Sequence, residues 1–148
     1  MSAAGSDRPI SSTRILSELE CRTLLVGQQF GRVAYISNGL PMIAPVNVMM
    51  FEDLVVFCSD PGDKVSNMPL RQVCFETEGE DDANARWSVI VHGLARDVTT
   101  ALDPQYERMR QTGISPFAHL IEPHWMAIEI EHLTGRFLQL KPSRPSSR

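Results

Sequence analysis

The sequence has no cluster of basic residues and no long apolar run, and each absence excludes a class of protein. Its net charge is −4, so we do not expect nucleic-acid binding, which depends on clustered lysine and arginine against phosphates. No apolar run approaches the roughly 20 residues that a membrane helix needs. Residues 1–14 lack the apolar segment of a signal peptide. We therefore expect neither a nucleic-acid nor a membrane partner.

Cysteine is also scarce, and the few cysteines are far apart. Cys21, Cys58 and Cys74 are an odd number at wide spacing, which fits neither a disulfide framework nor a CxxC metal pattern. We expect them to be small core residues in a reducing compartment, and this predicts a cytoplasmic protein. Apolar residues make up 43% of the 148, which is enough for the core of one domain.

The composition divides the chain into two tails and one domain. Residues 1–14 and 141–148 are rich in serine and in alanine or proline, and we expect both to be flexible. Residues 15–140 form the predicted domain. Ser17 and Glu20 have the spacing of a capping box at the start of a short helix, and Gly27 is placed to end it.

Three strand-like segments follow, joined by two short turns. They are Arg32–Ser37, Leu40–Phe51 and Leu54–Cys58. Asn38-Gly39 separates the first two, and this dipeptide is the strongest short hairpin signal because both central residues of a type I′ turn need positive φ. The third segment leads into a polar loop from Ser59 to Lys64, which places a hydroxyl, a glycine and a lysine close together.

The middle segment contains a proline, which strand interiors rarely accept. Pro45 has no N–H to donate, so it belongs at an edge, at a bulge or where strand pairing is interrupted. Asn47 should lie on the same face as Pro45 because side chains alternate. Two interpretations stay open: an edge strand with a solvated asparagine, or an interrupted ladder whose free main-chain groups receive a ligand.

The second half of the chain predicts more strands and one further helix. Gly93 lies within a long strand and indicates a bulge or a bend. The acidic segment Glu78–Asn84 is predicted to be a solvated loop, not a metal site. Asp103 and Pro104 begin a helix with a thin apolar stripe at Tyr106 and Met109. The strands are predicted at Gln72–Thr77, Arg86–Val98 and His124–Glu131, the last extended or followed by Gly135–Leu140. We therefore expect a mainly β protein, a six-stranded antiparallel barrel with short flanking helices.

The order of these motifs resembles one known superfamily. The segments that carry the likeness lie between Ile15 and Leu140: Gly31-Arg32-Val33-Ala34, Pro45-Val46-Asn47, Phe57-Cys58-Ser59 with Lys64, Trp87 to Gly93, Ile128-Glu129-Ile130, and Thr134-Gly135-Arg136. In this order the chain resembles the pyridoxamine 5′-phosphate oxidase-like superfamily of FMN-binding split barrels, and within it the small proteins of actinobacterial type.

The resemblance implies a homodimer with FMN in clefts between the subunits. Ser59, Lys64 and the main-chain N–H groups around them would bind the flavin phosphate. The ring would lie along the second strand, so that Pro45, Val46 and Asn47 line it, and the family pattern also brings Trp87 and Ser88 to the flavin.

Several of these residues have a structural alternative. Lys64 fits a surface lysine, and Trp87 fits an ordinary barrel or interface aromatic. Arg32 is equally suited to a phosphate contact and to a salt bridge. The interpretation that we favour for His92 is a sheet histidine, and for His124 and Trp125 it is interface packing.

The implied activity is FMN-dependent oxidoreduction, with hydride transfer between flavin N5 and a small organic substrate. The alternatives are a deazaflavin-dependent reductase, a non-catalytic flavin- or haem-binding module, and a dimer without a cofactor. The family's oxidases carry a longer C-terminal segment with an Arg-x-His signature, and they bring several cations to the phosphates. This sequence offers few of those cations, so we do not expect it to oxidise vitamin B6 itself. The sequence does not identify the substrate, the electron donor or a catalytic side chain.

Overall fold

The computed structural model describes residues 9–81, 84–112 and 119–142. In this part of the chain there are nine strands and three helices. In chain order they are β1 Ile10–Ile15, α1 Glu18–Val26, β2 Phe30–Ser37, β3 Leu40–Asn47, β4 Met49–Phe51, β5 Leu54–Ser59, α2 Asp63–Asn67, β6 Gln72–Asp81, β7 Ala85–Asp97, α3 Pro104–Arg110, β8 His124–Glu129 and β9 His132–Leu140.

The strands form two antiparallel layers that share the long strand β7. One layer has the order β3-β2-β6-β7-β9-β1, and the other runs β4-β5-β8-β7. The arrangement does not close, because β3 and β4 are both edge strands. This confirms the prediction of a mainly β split barrel. Within the described ranges, no helix is both long and apolar enough to cross a membrane.

The strand count exceeds the predicted six for three reasons. The predicted strand Leu40–Phe51 is divided at Val48 into β3 and β4, and the last predicted strand is divided into β8 and β9. The third addition is β1, since Ile10–Ile15 pairs with β9. The prediction of a flexible tail is therefore wrong for residues 10–14, whose main chain is held by a neighbouring strand. Residues 1–8 and 143–148 lie outside the described ranges.

The local signals for turns and helix ends are confirmed. Asn38 and Gly39 have φ values of 50° and 78° and join β2 to β3. Ser17 accepts a hydrogen bond from the Glu20 N–H, and the Glu20 carboxylate accepts one from the Ser17 N–H. Gly27 follows the last residue of α1.

The predicted acidic loop begins later than expected. β6 continues through Glu78 and Glu80 to Asp81, paired with β7. Arg86 on β7 lies 3.9 Å from a Glu78 carboxylate oxygen and 3.5 Å from one of Glu80. This cross-strand charge pairing allows acidic residues in a strand.

The core is in two parts. The larger lies between the two layers and includes the fully buried Val33, Phe57, Phe75 and Met126. The smaller lies between the outer side of β5 and β8 and helix α3, whose Tyr106 and Met109 are buried as the stripe predicted. α1 closes one end of the larger core through Cys21 and Leu25.

The bend predicted at Gly93 is the point where β7 passes from one layer to the other. β7 pairs with β9 up to His92 and with β8 from Ala95 onward. A Cβ atom at Gly93 would lie 1.6 Å from the Glu129 carbonyl oxygen, so the strands approach too closely here for any side chain.

Candidate cofactor-binding site

The open side of the split barrel is bordered by two unpaired strand edges. β3 pairs only with β2. β4 covers Leu54 to Val56 of β5, and the rest of β5, Phe57 to Ser59, pairs only with β8. β3 comes close to β5 across this opening. Main-chain groups on both edges therefore lack strand partners among the described residues. Asn47 on β3 is exposed, whereas on the β5 edge Phe57 is fully buried and Ser59 is only 9% exposed.

Pro45 sits in β3 without interrupting its pairing. The two-residue turn makes Ser37 and Leu40 a hydrogen-bonded pair, and hydrogen-bonded and non-bonded pairs alternate from there. Pro45 is then in a non-bonded pair with Arg32, so its nitrogen faces the open edge. The edge-strand interpretation is the one that the structure bears out.

The same alternation separates the three residues predicted on β3. Val46 is in a hydrogen-bonded pair with Gly31, so its N–H points to β2, and its side chain is buried in the core. Asn47 is exposed, and its N–H faces the open edge. Of Pro45, Val46 and Asn47, therefore, only Asn47 offers a main-chain donor to the opening.

Hydrogen bonds hold the polar loop that follows β5 in place at both ends. Ser59 is 9% exposed, and its hydroxyl donates to the carbonyl of Asp60 at 3.1 Å. The Asp60 carboxylate accepts the N–H groups of Ile121 and Glu122 at 3.0 and 2.8 Å. The loop after β5 is thereby joined to the segment that enters β8.

The far end of the loop is held by Asp63, the first residue of α2. The Tyr35 hydroxyl donates to Asp63 Oδ2 at 2.6 Å, the Ser37 hydroxyl to Oδ1 at 2.8 Å, and Asn67 Nδ2 to Oδ1 at 3.0 Å. The bonds from Tyr35 and Ser37 lower the pKa of Asp63. Burial, with Asp63 adding to it, raises the pKa of Tyr35 to about 12. A charged carboxylate thus fixes α2 against the end of β2.

Lys64 follows this anchored aspartate and is half-buried. Its ammonium has no carboxylate within 4.0 Å among the residues that the structure describes. The side chain of Arg32, exposed on β2 between Pro45 of β3 and Glu76 of β6, likewise makes no hydrogen bond and has no carboxylate within 4.0 Å in the described ranges. The salt bridge that was the alternative for Arg32 is therefore not formed in the described part of the chain. Two cations stay available to an anionic ligand.

Trp87 and Ser88 lie on opposite faces of β7. Trp87 is 8% exposed in the core, with its ring against Gly79, where an added Cβ would lie 2.5 Å from it. Ser88 points to the outer face, opposite Glu78 on β6 and Arg136 on β9. Their side chains cannot contact one ring from the same face. Trp87 also borders a cleft of about 410 Å³ beside α1.

One histidine has a polar partner on a neighbouring strand. Nδ1 of His124 lies 2.8 Å from Asp97 Oδ2, and the interface packing predicted for His124 and Trp125 stays a prediction. Trp125 is half-buried beside the smaller core. His92 is exposed on the outer face, opposite Cys74 on β6 and His132 on β9.

The sequence analysis gives no binding role to four polar residues: Tyr35, Asp63, Asp97 and His124. Tyr35 is a buried residue of β2 and Asp63 is exposed at the start of α2, and nothing local indicates that their side chains meet. Asp97 and His124 are 27 positions apart, so only the strand pairing brings them together.

The chain matches known proteins over most of its length. The sequence model of the pyridoxamine 5′-phosphate oxidase family matches residues 17–137. The uncharacterised protein Rv0080 of Mycobacterium tuberculosis is 31% identical over 124 residues, which are 78% of this chain and 79% of that protein.

Solved structures agree with this match. The FAD-binding protein from Mycobacterium smegmatis has 29% identity and a TM-score of 0.73, over 86% of this chain and 100% of that one. An FAD- and haem-binding protein of the same organism, at 14% identity, shares the fold alone, with a TM-score of 0.57 over 92% of this chain and 76% of that one. Given its fold and the extent of the family match, the chain belongs to the pyridoxamine 5′-phosphate oxidase family.

Proposed function

We propose that this protein binds a flavin nucleotide in a cleft between two copies of the chain, and that it acts as an oxidoreductase on a small organic substrate. The observation that carries the proposal is the opening between β3 and the end of β5. The opening presents main-chain groups of the edge strand β3. Beside it lies the loop held by Asp63, on which Lys64 has no carboxylate within 4.0 Å in the described ranges. The flavin-binding relative from Mycobacterium smegmatis supports the same ligand class.

The residues around the opening fit the parts of a flavin nucleotide. A phosphate needs a cation and hydrogen-bond donors. Lys64 offers the cation on a loop held by Asp60 and Asp63, and the Ser59 hydroxyl offers a donor if it exchanges its bond to the Asp60 carbonyl for one to the ligand. A flat polar ring needs main-chain partners along one edge, and Asn47 has a free N–H on β3. When bound, the flavin supplies two-electron redox chemistry at its N5 atom, while the protein supplies binding and orientation.

The outer face of β2 and β3 supports a dimer. Phe30, Ile36 and Ile43 are 49%, 53% and 71% exposed, and Pro41 lies opposite Ile36. These side chains share one face of the layer. An apolar patch of this kind on a sheet is typical of a surface that another protein covers. We infer that a second copy covers it and completes the cleft.

The test is flavin binding by the purified protein. We expect the visible spectrum of an oxidised flavin after incubation with FMN or FAD, and fluorescence titration decides between the two nucleotides. Lys64→Ala should weaken binding by about tenfold or more, the cost of one charged hydrogen bond. Lys141→Ala is a matched control, because Lys64 and Lys141 are the two lysines of the chain. Binding of neither nucleotide would refute the proposal, and uptake of a deazaflavin alone would replace it with a deazaflavin-dependent activity.

A second candidate ligand is haem, and one observation favours it. A groove of about 320 Å³ on the outer face is lined mainly by apolar side chains of β2 and β3 and reaches the exposed His92. A neutral imidazole at the end of an apolar groove is a suitable axial ligand. The same spectrum decides the question, since bound haem gives a Soret band.

A further inference from the structure

Asp97 and His124 form a polar pair whose geometry is fixed on the aspartate side. Asp97 Oδ1 accepts the Thr99 N–H at 3.1 Å and the Thr99 hydroxyl at 2.5 Å, while Oδ2 meets His124 Nδ1 at 2.8 Å. The Thr99 hydroxyl also accepts the N–H of Trp125 at 2.9 Å. The imidazole is therefore oriented through Nδ1, and Nε2 has no hydrogen-bond partner in the described part of the chain.

The strand register places this imidazole beside the loop that carries Lys64. His124 is directly opposite Ser59 on β5, and directly opposed side chains share a face with their Cβ atoms about 5 Å apart. The neighbouring positions Cys58 and Trp125 point to the other face. His124 and Ser59 therefore face the same end of the barrel opening, and 27% of the His124 side chain is exposed there.

We propose that His124, oriented by Asp97, is a second cationic ligand of the flavin phosphate, donating from Nε2 while Lys64 contacts the phosphate from the other side of the loop. This inference rests on the proposed flavin binding. While Nδ1 donates to the Asp97 carboxylate, an imidazole that carries a proton on both nitrogens can donate from Nε2 to a phosphate oxygen. The ligand chemistry is a phosphate oxyanion, whether the terminal phosphate of FMN or the pyrophosphate of FAD.

The charged groups around the imidazole are consistent with this role. From β7 it contacts Asp97. Asp60 follows Ser59, the residue opposite His124, and Glu122 precedes β8 in the sequence. Burial raises the pKa of Asp97, but hydrogen bonds from Thr99 and His124 outweigh it and hold the pKa below its ordinary value. Asp97 is therefore charged at neutral pH and accepts the hydrogen bond that orients the imidazole. Asp60 has its carboxylate bonded to two main-chain N–H groups, which offset its repulsion of a phosphate.

The experiment compares flavin affinity of the full chain and of His124→Gln. FMN, FAD and riboflavin are titrated against both proteins under the same conditions, including a single pH, and the ratio of the two dissociation constants measures the contribution of the histidine side chain. His132→Gln is the matched control, and thermal unfolding shows that each variant folds.

The proposal predicts a ratio of about tenfold for the nucleotide, the value of one charge-assisted hydrogen bond. Riboflavin, which has no phosphate, should bind both proteins equally. Asp97→Asn should also weaken nucleotide binding and leave riboflavin binding unchanged, because the carboxylate that orients the imidazole is lost. The effect appears with whichever nucleotide, FMN or FAD, the protein binds.

Two other results overturn the inference in distinguishable ways. If the nucleotide binds equally to both proteins, or if riboflavin loses affinity as much as the nucleotide does, His124 is not a phosphate ligand and flavin binding stands. If no flavin binds the unaltered protein, the proposed function fails, and the inference fails with it.

Discussion

Replacing Gly93 with alanine should destabilise the protein severely, because this glycine lies where β7 passes between the two layers. An added Cβ would lie 1.6 Å from the Glu129 carbonyl oxygen and 2.7 Å from its carbonyl carbon. Both atoms belong to the main chain of β8, so relief requires moving a strand of the core. Overpacking costs about 1 to 3 kcal/mol where side chains can adjust, and here we expect about 3 kcal/mol or more.

The assay is thermal and urea unfolding. For a chain of this length 3 kcal/mol corresponds to a fall in Tm of about 6 to 12 °C. Gly27→Ala is the matched control. A Cβ there has no heavy atom within 4 Å, and the φ of −88° suits alanine, so we expect a small gain in stability or none. A Gly93→Ala protein as stable as the unaltered chain would refute the close approach of β7 and β8.

Two further predictions concern the dimer and acid stability. If the unaltered protein is the proposed dimer by light scattering, Ile43→Asp should be a monomer, while Leu102→Asp, at a position 81% exposed, should remain a dimer. A dimer in both variants would exclude the outer face of β3 as the interface. Because its pKa is lowered on folding, Asp97 contributes stability above its unfolded pKa, and this contribution is lost as pH falls through the folded value. The difference in unfolding free energy between the unaltered chain and Asp97→Asn should therefore shrink below about pH 4, and an equal difference at pH 7 and at the acid limit would contradict this.

The features that could be predicted from sequence are those whose cause lies within a few residues. The Asn38-Gly39 turn needs two positive φ angles, and few other dipeptides adopt them at low cost. The capping box at Ser17 satisfies its own hydrogen bonds within one helical turn. Gly93 interrupts an otherwise continuous β pattern, and a missing side chain in such a pattern indicates a close main-chain approach.

The features that were missed depend on partners far along the chain. All six residues of β1 are exposed, so the strand has no apolar alternation to reveal it, and pairing with β9 alone makes it a strand. The extension of β6 into acidic residues likewise depends on Arg86, which faces Glu78 and Glu80 from the next strand.

In the candidate site, too, residues that are contiguous in the sequence could be predicted, whereas residues that only strand pairing brings together could not. The loop containing Ser59 and Lys64 was evident because its residues are contiguous. Asp97 and His124 were not, because they meet only after β7 bends at Gly93 and its last residues pair with β8. The bend therefore affects the site as well as the fold: without it Asp97 would continue along the other layer, away from His124.

The same long-range bonds explain how an acidic segment can bind an anion. Asp60 and Asp63 lie on the loop proposed to bind the phosphate, and Asp97 contacts His124; three carboxylates without hydrogen-bond donors there would repel a phosphate. Each is instead hydrogen-bonded to donors of the protein, which offsets much of its negative charge locally. These three aspartates hold the loops in place, and Lys64 and His124 remain as the groups able to contact the ligand. A site with so few cations therefore depends on the hydrogen bonds that its carboxylates accept. Asp63→Asn should weaken nucleotide binding, although Asp63 is not itself a proposed phosphate ligand.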